Sequence, residues 1–367
     1  MPIDQRETPA GDLYRDMFTQ ERERLLASLG ALTDGGVVEH VEHVGATSVP
    51  GLYGQPSVDI ALAVWPFPLE EPARASLVAL GYALDPDFAD EPEQRIRHTS
   101  GAFRLYVVAA GSPLWMDYAV VREHLRHDAS ARDAYSARKR AWSAGAEVMD
   151  AYEEAKRRWL ERLVDDACRS WIEREGFTPL HHAIAELREL PVTWRIGGGW
   201  ALDLFLGRVT RVHHDVDVEV ARADQLTLQT YLLERDWKLL TPFEQRLGPW
   251  PAHMRLELPR HQVHAHRDGA FIDFLLTDVE GGVWRFRRAP TIVRDMSRVE
   301  LRSADGIPYV APELALLFKS KMSSGETCEK DWNDFDATFP HLEVERRAWL
   351  RWALSAYDPA HTWLARL

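Results

Sequence analysis

Hydrophobic residues recur at helical spacing over residues 13–32, with Met17, Leu25 and Leu29 among them, which predicts an amphipathic helix. Gly35 and Gly36 break that pattern. Residues 37–44 then alternate apolar and polar side chains in the manner of a half-buried strand. A turn-rich loop over residues 45–52 leads to a second strand at residues 57–64. Residues 69–80 predict a helix, and residues 103–108 and 115–121 read as strands. Residues 121–171 are strongly helical, with charged faces around Tyr135, Trp142, Tyr152, Trp159 and Leu163.

A fresh start signal, Thr178-Pro179, precedes a helix over residues 180–187. Next come a short strand at Trp194, a three-glycine turn (Gly197, Gly198, Gly199), a helix, a link, and a second strand carrying Asp215-Val216-Asp217. Residues 226–236 predict a helix, and residues 263–266, 270–276, 283–288 and 307–310 read as strands. Pro312 opens a helix over residues 313–322, and the run 331–336 leads into a C-terminal helix built around Trp349, Leu350, Trp352 and Leu354. The order of strand, glycine-bearing loop and Asp-bearing strand is met twice, over residues 41–64 and 194–220. That recurrence predicts two similarly built domains, 1–172 and 173–367, with the boundary near residues 170–176. The expected class is α/β (α+β): two tandem domains, each a small mixed sheet with flanking helices, plus a helical C-terminal tail.

Composition narrows the function classes. With 46% hydrophobic and 28% charged residues, the chain has ample material for folded cores. No apolar run reaches the ~18 residues of a membrane span, and the first residues lack a basic-then-apolar leader profile, so a cytoplasmic protein with no membrane association is expected. Cys168 and Cys328 form neither a metal pattern nor a disulfide framework. Lys and Arg number 44 against 57 Asp and Glu, a net charge of −13. That balance argues against a broad nucleic-acid surface and suits a small cationic partner. The sequence leaves the oligomeric state open.

The chemistry concentrates around Asp215 and Asp217. On a strand the two carboxylates share a face while Val216 and Val218 point to the core. Paired carboxylates suit one hard divalent cation that also bridges to substrate phosphates. Gly198 and Gly199 shape a turn that a phosphate can approach, and the helix behind them offers free N–H groups. The combination suggests nucleotidyl transfer. Glu219 continues the same face and reads as a solvated strand end. Trp200 reads as packing, and Asp203, one turn into the helix, is a candidate to pair with a cation at the nucleotide. Asp273 sits between Ile272 and Phe274, where an acid is costly unless paired or metal-bound. Arg285, Arg287 and Arg288 form a basic cluster that could steer a nucleotide but reads first as a solvated strand end, Lys321 reads as a solvated helix residue, and most of the 14 tryptophans as core, with one or two able to stack on an adenine or sugar. His213, His214, His264 and His266 lack a Cys/His partner set, so zinc is not expected.

Residues 196–201, the run 207–211 and Asp215-Val216-Asp217 resemble the aminoglycoside 2″-nucleotidyltransferase (adenylyltransferase) family. Residues 272–275, 306–313 with Lys319, and 331–335 look like that family's remaining landmarks, so the resemblance spans roughly residues 178–352. It implies a nucleotidyltransferase-like fold, Mg²⁺ held by Asp215, Asp217 and Asp273, with Asp273 alternatively the base, and ATP or another NTP as co-substrate. It further implies nucleotide contacts from Gly198, Gly199, Asp203 and Lys319, and transfer of AMP to a hydroxyl of a small, aminoglycoside-like acceptor. The front half resembles the GrpB (UPF0157) family through residues 43–52, 56–60, Tyr135 with Lys139, and Tyr152 with Lys156. There a ligand site of Gly45, Thr47, Ser48, Asp59, Lys139 and Lys156 is implied. Two departures stand out: Gln55 replaces the usual Lys, and Arg104-Leu105-Tyr106 replaces a His-x-His motif. Ala61 also leaves Asp59 without a second acid two residues on, and one carboxylate holds Mg²⁺ poorly. The first domain is therefore expected to bind a ligand or shape the acceptor pocket rather than catalyse. The competing readings are a toxin-type nucleotidyltransferase acting on tRNA or protein, and a nucleotide-binding interaction module without turnover.

Overall fold

The computed structural model describes residues 6–7, 12–30, 37–65, 67–84, 93–109, 113–143, 149–243, 246–267, 270–320 and 329–367. The chain divides into two compact units, made chiefly of Met1–Arg174 and of Glu175–Leu367. Among the described residues no helix is long and apolar enough to cross a membrane.

The first unit runs α1 (Asp12–Gly30), β1 (Val37–Val44), β2 (Val58–Trp65), α2 (Glu71–Ala79), β3 (Tyr82–Leu84), β4 (Glu93–His98), β5 (Phe103–Ala109), α3 (Pro113–His127), α4 (Ala129–Ser143) and α5 (Met149–Glu175). Its sheet has the order β1-β2-β5-β4-β3, with β2 and β5 parallel and the other pairs antiparallel. In β2, Val58, Ile60, Ala61, Leu62, Ala63 and Val64 are all buried, as a strand covered on both faces requires. Leu25 and Leu29 of α1 join Ile60 and Leu62 in one core. A smaller cluster gathers Val49, Leu52, Leu125 and Leu163 beneath the loop after β1.

Two features differ from expectation. Residues 115–121 lie within α3, not in a strand. A short apolar run is ambiguous by periodicity alone, and here Pro113 at the first position and buried Val120 and Leu125 favour the helix. β3 and β4 escaped the pattern because β4 sets exposed Arg95 and Arg97 against buried Ile96.

The second unit runs α6 (Thr178–Leu187), β6 (Trp194–Ile196), α7 (Gly198–Leu206), β7 (Asp217–Ala221), α8 (Gln225–Leu233), β8 (Lys238–Phe243), β9 (Arg246–Pro249), β10 (Gln262–Arg267), β11 (Ala270–Thr277), β12 (Val279–Glu280), β13 (Val283–Arg285), β14 (Val293–Asp295), β15 (Glu300–Arg302), β16 (Pro308–Val310), α9 (Pro312–Lys319), α10 (Glu329–Thr338) and α11 (Val344–Tyr357). An eight-stranded sheet of order β9-β8-β10-β11-β7-β6-β16-β15 organises it, beside a three-stranded sheet β12-β13-β14. The main sheet is mixed: β7 pairs parallel with β11 and antiparallel with β6, and β16 pairs parallel with β6. Three of its eight strands, β8, β9 and β15, are not among those the sequence pattern predicts. The run 331–336 is itself helical, within α10. Its Phe335 is fully buried, stacking on Trp363 at 4.3 Å. Trp200, Trp237, Trp250, Trp284 and Trp363 are core residues, whereas Trp352 is half exposed.

Candidate active site

In the second unit the sheet brings three acids to one place. β7 and β11 run parallel with Asp217 directly opposite Asp273, so the two side chains leave the same face of the sheet. Asp215 lies in the link just before β7 rather than on the strand itself; it is exposed, while Val216 and Val218 beside it are buried. The link is pinned by backbone bonds from Asp273 N–H to the Val216 carbonyl (3.0 Å) and from Gly197 N–H to the Asp217 carbonyl (2.8 Å). Trp200 adds an indole N–H bond to the Asp215 carbonyl (2.9 Å) and is otherwise core, as expected.

Gly198 sits hard against these acids. Its φ is +55°, and a Cβ there would stand 1.7 Å from Asp217 Oδ2, so no side chain fits. Asp215, Asp217, Asp273, Gly198 and Lys319 all line one cavity of about 290 Å³, and Glu219, Arg285 and Arg287 face it too. Gly199 does not. It turns the other way, where a Cβ would meet Arg211 and His213 within 2.5 Å, so its smallness serves packing.

The electrostatics are those of crowded acids opposed by a few cations. Burial first, and then Asp215, push the Asp217 carboxyl above its ordinary range, while Lys319 and Lys330 pull it back. Asp273 accepts a bond from Gln262 Nε2, and His264 Nε2 stands 4.0 Å from its other oxygen. Burial lowers His264 to about 4, so that ring is neutral near pH 7. Lys319 reaches Asp334 at 2.6 Å and Asp331 at 3.4 Å. Asp334 also takes a two-pronged contact from Arg211, Nε at 2.9 Å and Nη2 at 3.1 Å. Burial would raise Asp334, but Arg211 and Lys319 outweigh it and hold the carboxyl below its usual value.

Several expectations are corrected by this geometry. Asp203 is fully buried and does not line the cavity. It receives Thr210 Oγ1 (2.6 Å), Thr210 N–H (3.2 Å) and His213 Nε2 (2.6 Å), because an acid inside a helix core must satisfy its oxygens locally. Glu219 is not a solvated strand end. It is buried with Arg195 at 3.9 Å and accepts from Thr277 Oγ1 at 3.2 Å. Arg285, Arg287 and Arg288 are half-buried rather than solvated, and Arg288 donates to the Phe318 carbonyl at 2.8 Å. Burial lowers Arg287 to about 10, with Arg288 the next cause. The apolar residues interleaved with these arginines, Trp284 and Phe286, were the available signal that the run packs inward. Lys321 lies outside the described residues.

The donor set suits a hard divalent cation. All candidate ligands are carboxylate oxygens, two of them crowded enough that ionising both is costly, and Mg²⁺ is held by one or two carboxylates plus substrate phosphates. Among the described residues no group of three or more His, Cys, Asp or Glu side chains is arranged to hold an ion by itself. A site completed by phosphate oxygens is therefore the arrangement these residues fit.

In the first unit Gly45 and Asp59 repeat the glycine–carboxylate contact. Gly45 has φ +70°, and a Cβ there would stand 2.2 Å from Asp59 Oδ2. Burial raises Asp59 to about 6 against the pull of Arg104 and Lys139. Thr47 and Ser48 are buried and hold the loop: Thr47 Oγ1 donates to the Ser57 carbonyl (3.0 Å) and Ser48 Oγ to the Gly45 carbonyl (2.7 Å). Gly45, Asp59 and Lys139 line a cavity of about 490 Å³. Lys156 is on α5, but its side chain lies outside the described residues.

The second unit thus sets a glycine against an acid, with a second acid in register on the neighbouring parallel strand. Residues 8–166 match the family model described as GrpB protein, and residues 179–304 the model described as Aminoglycoside-2″-adenylyltransferase. The chain belongs to the GrpB (UPF0157) family: it is 37% identical over 145 residues to a UPF0157 protein of Streptomyces coelicolor, covering 39% of this chain and 73% of that protein. A 2″-aminoglycoside nucleotidyltransferase of Escherichia coli is 61% identical over 36 residues, 10% of this chain and 19% of that protein. The crystal structure of the conserved protein GrpB from Enterococcus faecalis aligns with 45% of this chain and 96% of its own, at 20% identity and a TM-score of 0.34.

Proposed function

We propose that the second unit transfers a nucleoside monophosphate, AMP from ATP or the matching part of another NTP, to a hydroxyl of a small, aminoglycoside-like acceptor. One observation carries the reading: Asp217 and Asp273 oppose each other in register across parallel strands, in a cavity that Asp215, Lys319 and Arg287 also line. Asp215 and Asp217 would hold Mg²⁺ together with the nucleotide's phosphate oxygens. Bound there, the ion supplies positive charge to offset what builds as pyrophosphate leaves. Gly198, lacking a Cβ, lets the phosphates approach the acids, and Lys319 presents its ammonium to them from the end of α9. Asp273, oriented by Gln262, accepts the proton of the acceptor hydroxyl. The 57 acidic against 44 basic residues favour a cationic aminosugar over RNA. The acceptor class is supported by the second family model and by the printed name of the Escherichia coli relative.

A pyrophosphate-release screen tests this directly, crossing four NTPs with aminoglycosides, lincosamides and tRNA, for wild type beside Asp217→Ala. Turnover with an aminosugar that disappears in Asp217→Ala is expected. Turnover retained by that variant removes Asp217 from the mechanism, and turnover on tRNA alone removes the acceptor class.

A further inference from the structure

Among the described residues, five acids and three lysine or arginine side chains line the second unit's cavity. Glu219 is engaged by Arg195 and Thr277, and Asp278 by Arg222, whose Nε stands 2.5 Å from Oδ1. The other three, Asp215, Asp217 and Asp273, are the carboxylates assigned above to the ion and to the acceptor's proton. Two of the cations are engaged as well: Lys319 with Asp331 and Asp334, and Arg285 with Glu280 at 3.7 Å. Arg287 differs. Among the described residues no carboxylate is close enough to pair with it and it makes no hydrogen bond; Glu219 and Asp273 attract it only through space.

Its position is nevertheless fixed. Trp284 and Phe286 are fully buried just before it, and Arg288 just after it donates to the Phe318 carbonyl at 2.8 Å. The Arg287 guanidinium lies over the Phe318 ring, 5.2 Å from its centre, and Phe318 precedes Lys319 on α9. An aromatic face holds a guanidinium in place without supplying an oxygen acceptor. Burial, with Arg288 the next cause, depresses Arg287 to about 10, the direction expected of a cation whose charge the chain leaves undercompensated. It stays protonated near pH 7. A half-buried arginine in that state has a desolvation cost that an incoming anion offsets, and its planar fork matches phosphate oxygens. In the proposed reaction the anions that enter this cavity are the nucleotide's phosphates, since a cationic aminosugar offers none.

We propose that Arg287 grips the β- and γ-phosphates of the bound nucleotide and neutralises the departing pyrophosphate, a role that rests on the transfer reading above. The acceptor oxygen bonds to the α-phosphorus and its proton passes to Asp273. The bond from that phosphorus to the β-bridging oxygen breaks, and its electron pair leaves on pyrophosphate. Negative charge grows on the group Arg287 holds, so the contact strengthens in the transition state. Titration calorimetry of the full chain in Mg²⁺ with ATP, AMP and inorganic pyrophosphate, beside kcat and KM, tests this. Arg287→Met should weaken ATP and pyrophosphate binding about tenfold or more, the size of one charge-assisted contact, and lower kcat by a similar factor. AMP binding should stay within about twofold of wild type, because AMP lacks the outer phosphates. Arg287→Lys, a point charge in place of a fork, should recover part of the loss. Arg287→Met should melt no lower than wild type, since it breaks no ion pair, which separates lost binding from lost fold. Arg287 is excluded from this role if Arg287→Met binds ATP and pyrophosphate as wild type does, if AMP binding falls equally, or if only the acceptor KM rises. Any of these with wild-type turnover intact leaves the transfer reading standing. Wild type that binds neither ATP nor pyrophosphate sinks both, whereas the expected binding losses without turnover on any acceptor sink the transfer reading and keep the phosphate contact.

Discussion

Gly198→Ala probes the site at its tightest point. Two separate costs are introduced. The first is conformational: φ is +55°, and an L-residue held there loses about 1–2 kcal/mol relative to glycine. The second is steric, because the new methyl would stand 1.7 Å from Asp217 Oδ2 and 2.7 Å from its Cγ, so the carboxylate must swing away. Forcing atoms into an occupied space costs about 1–3 kcal/mol more. Gly207→Ala separates the two, because Gly207 has φ +68° but nothing within 4 Å of its would-be Cβ. Denaturant unfolding followed on the second unit's tryptophans should show Gly207→Ala losing about 1–2 kcal/mol with turnover intact. Gly198→Ala should lose about 2–5 kcal/mol and nearly all pyrophosphate release. In an Asp217→Ala background the extra loss from Gly198→Ala should shrink toward that of Gly207→Ala, a direct measure of the coupling. If Gly198→Ala and Gly207→Ala cost the same and both keep turnover, the contact between glycine and carboxylate is not what sets the site.

Three further outcomes follow from the same geometry. The Asp217 carboxyl is raised above its unfolded value, so the native state binds the extra proton and stability falls as pH climbs from the ordinary carboxylate range through the raised value. Asp217→Asn should thus melt higher than wild type at pH 8, lose that advantage toward pH 4, and be inactive throughout; a flat difference across that range refutes the burial argument. Asp203→Ala leaves Thr210 and His213 unsatisfied in the core, and should cost about 2–4 kcal/mol while the folded fraction keeps its nucleotide KM. A large KM change at unaltered stability would restore Asp203 to the nucleotide site. Lys319→Met should raise nucleotide KM about tenfold, and Asp334→Ala, which frees both Lys319 and Arg211 from a buried partner, should add a stability loss of about 3–5 kcal/mol. Unchanged KM in Lys319→Met would confine that lysine to a structural role.

Much of this was readable along the chain because it depends on short-range physics. The alternation of residues 37–44, the helical spacing that leads into α1 and the proline start of α9 are local properties, and so is the grouping of Gly198 with Asp215 and Asp217. Local pattern failed where a segment's neighbours decide its state. Residues 115–121 are apolar enough for either a strand or a helix, and packing of Val120 and Leu125 chose the helix. Which polar side chain faces a ligand and which is consumed by the scaffold is likewise decided only in three dimensions. Asp203 and Glu219 are acids in the same motif as Asp217, yet His213, Thr210, Arg195 and Thr277 meet them in the folded core. The register that opposes Asp273 to Asp217, and Arg104 to Asp59, joins residues more than forty positions apart in the chain. Residue types and their spacing determined which groups could do chemistry. Strand pairing and desolvation determined which of them meet, and what charge they carry when they do.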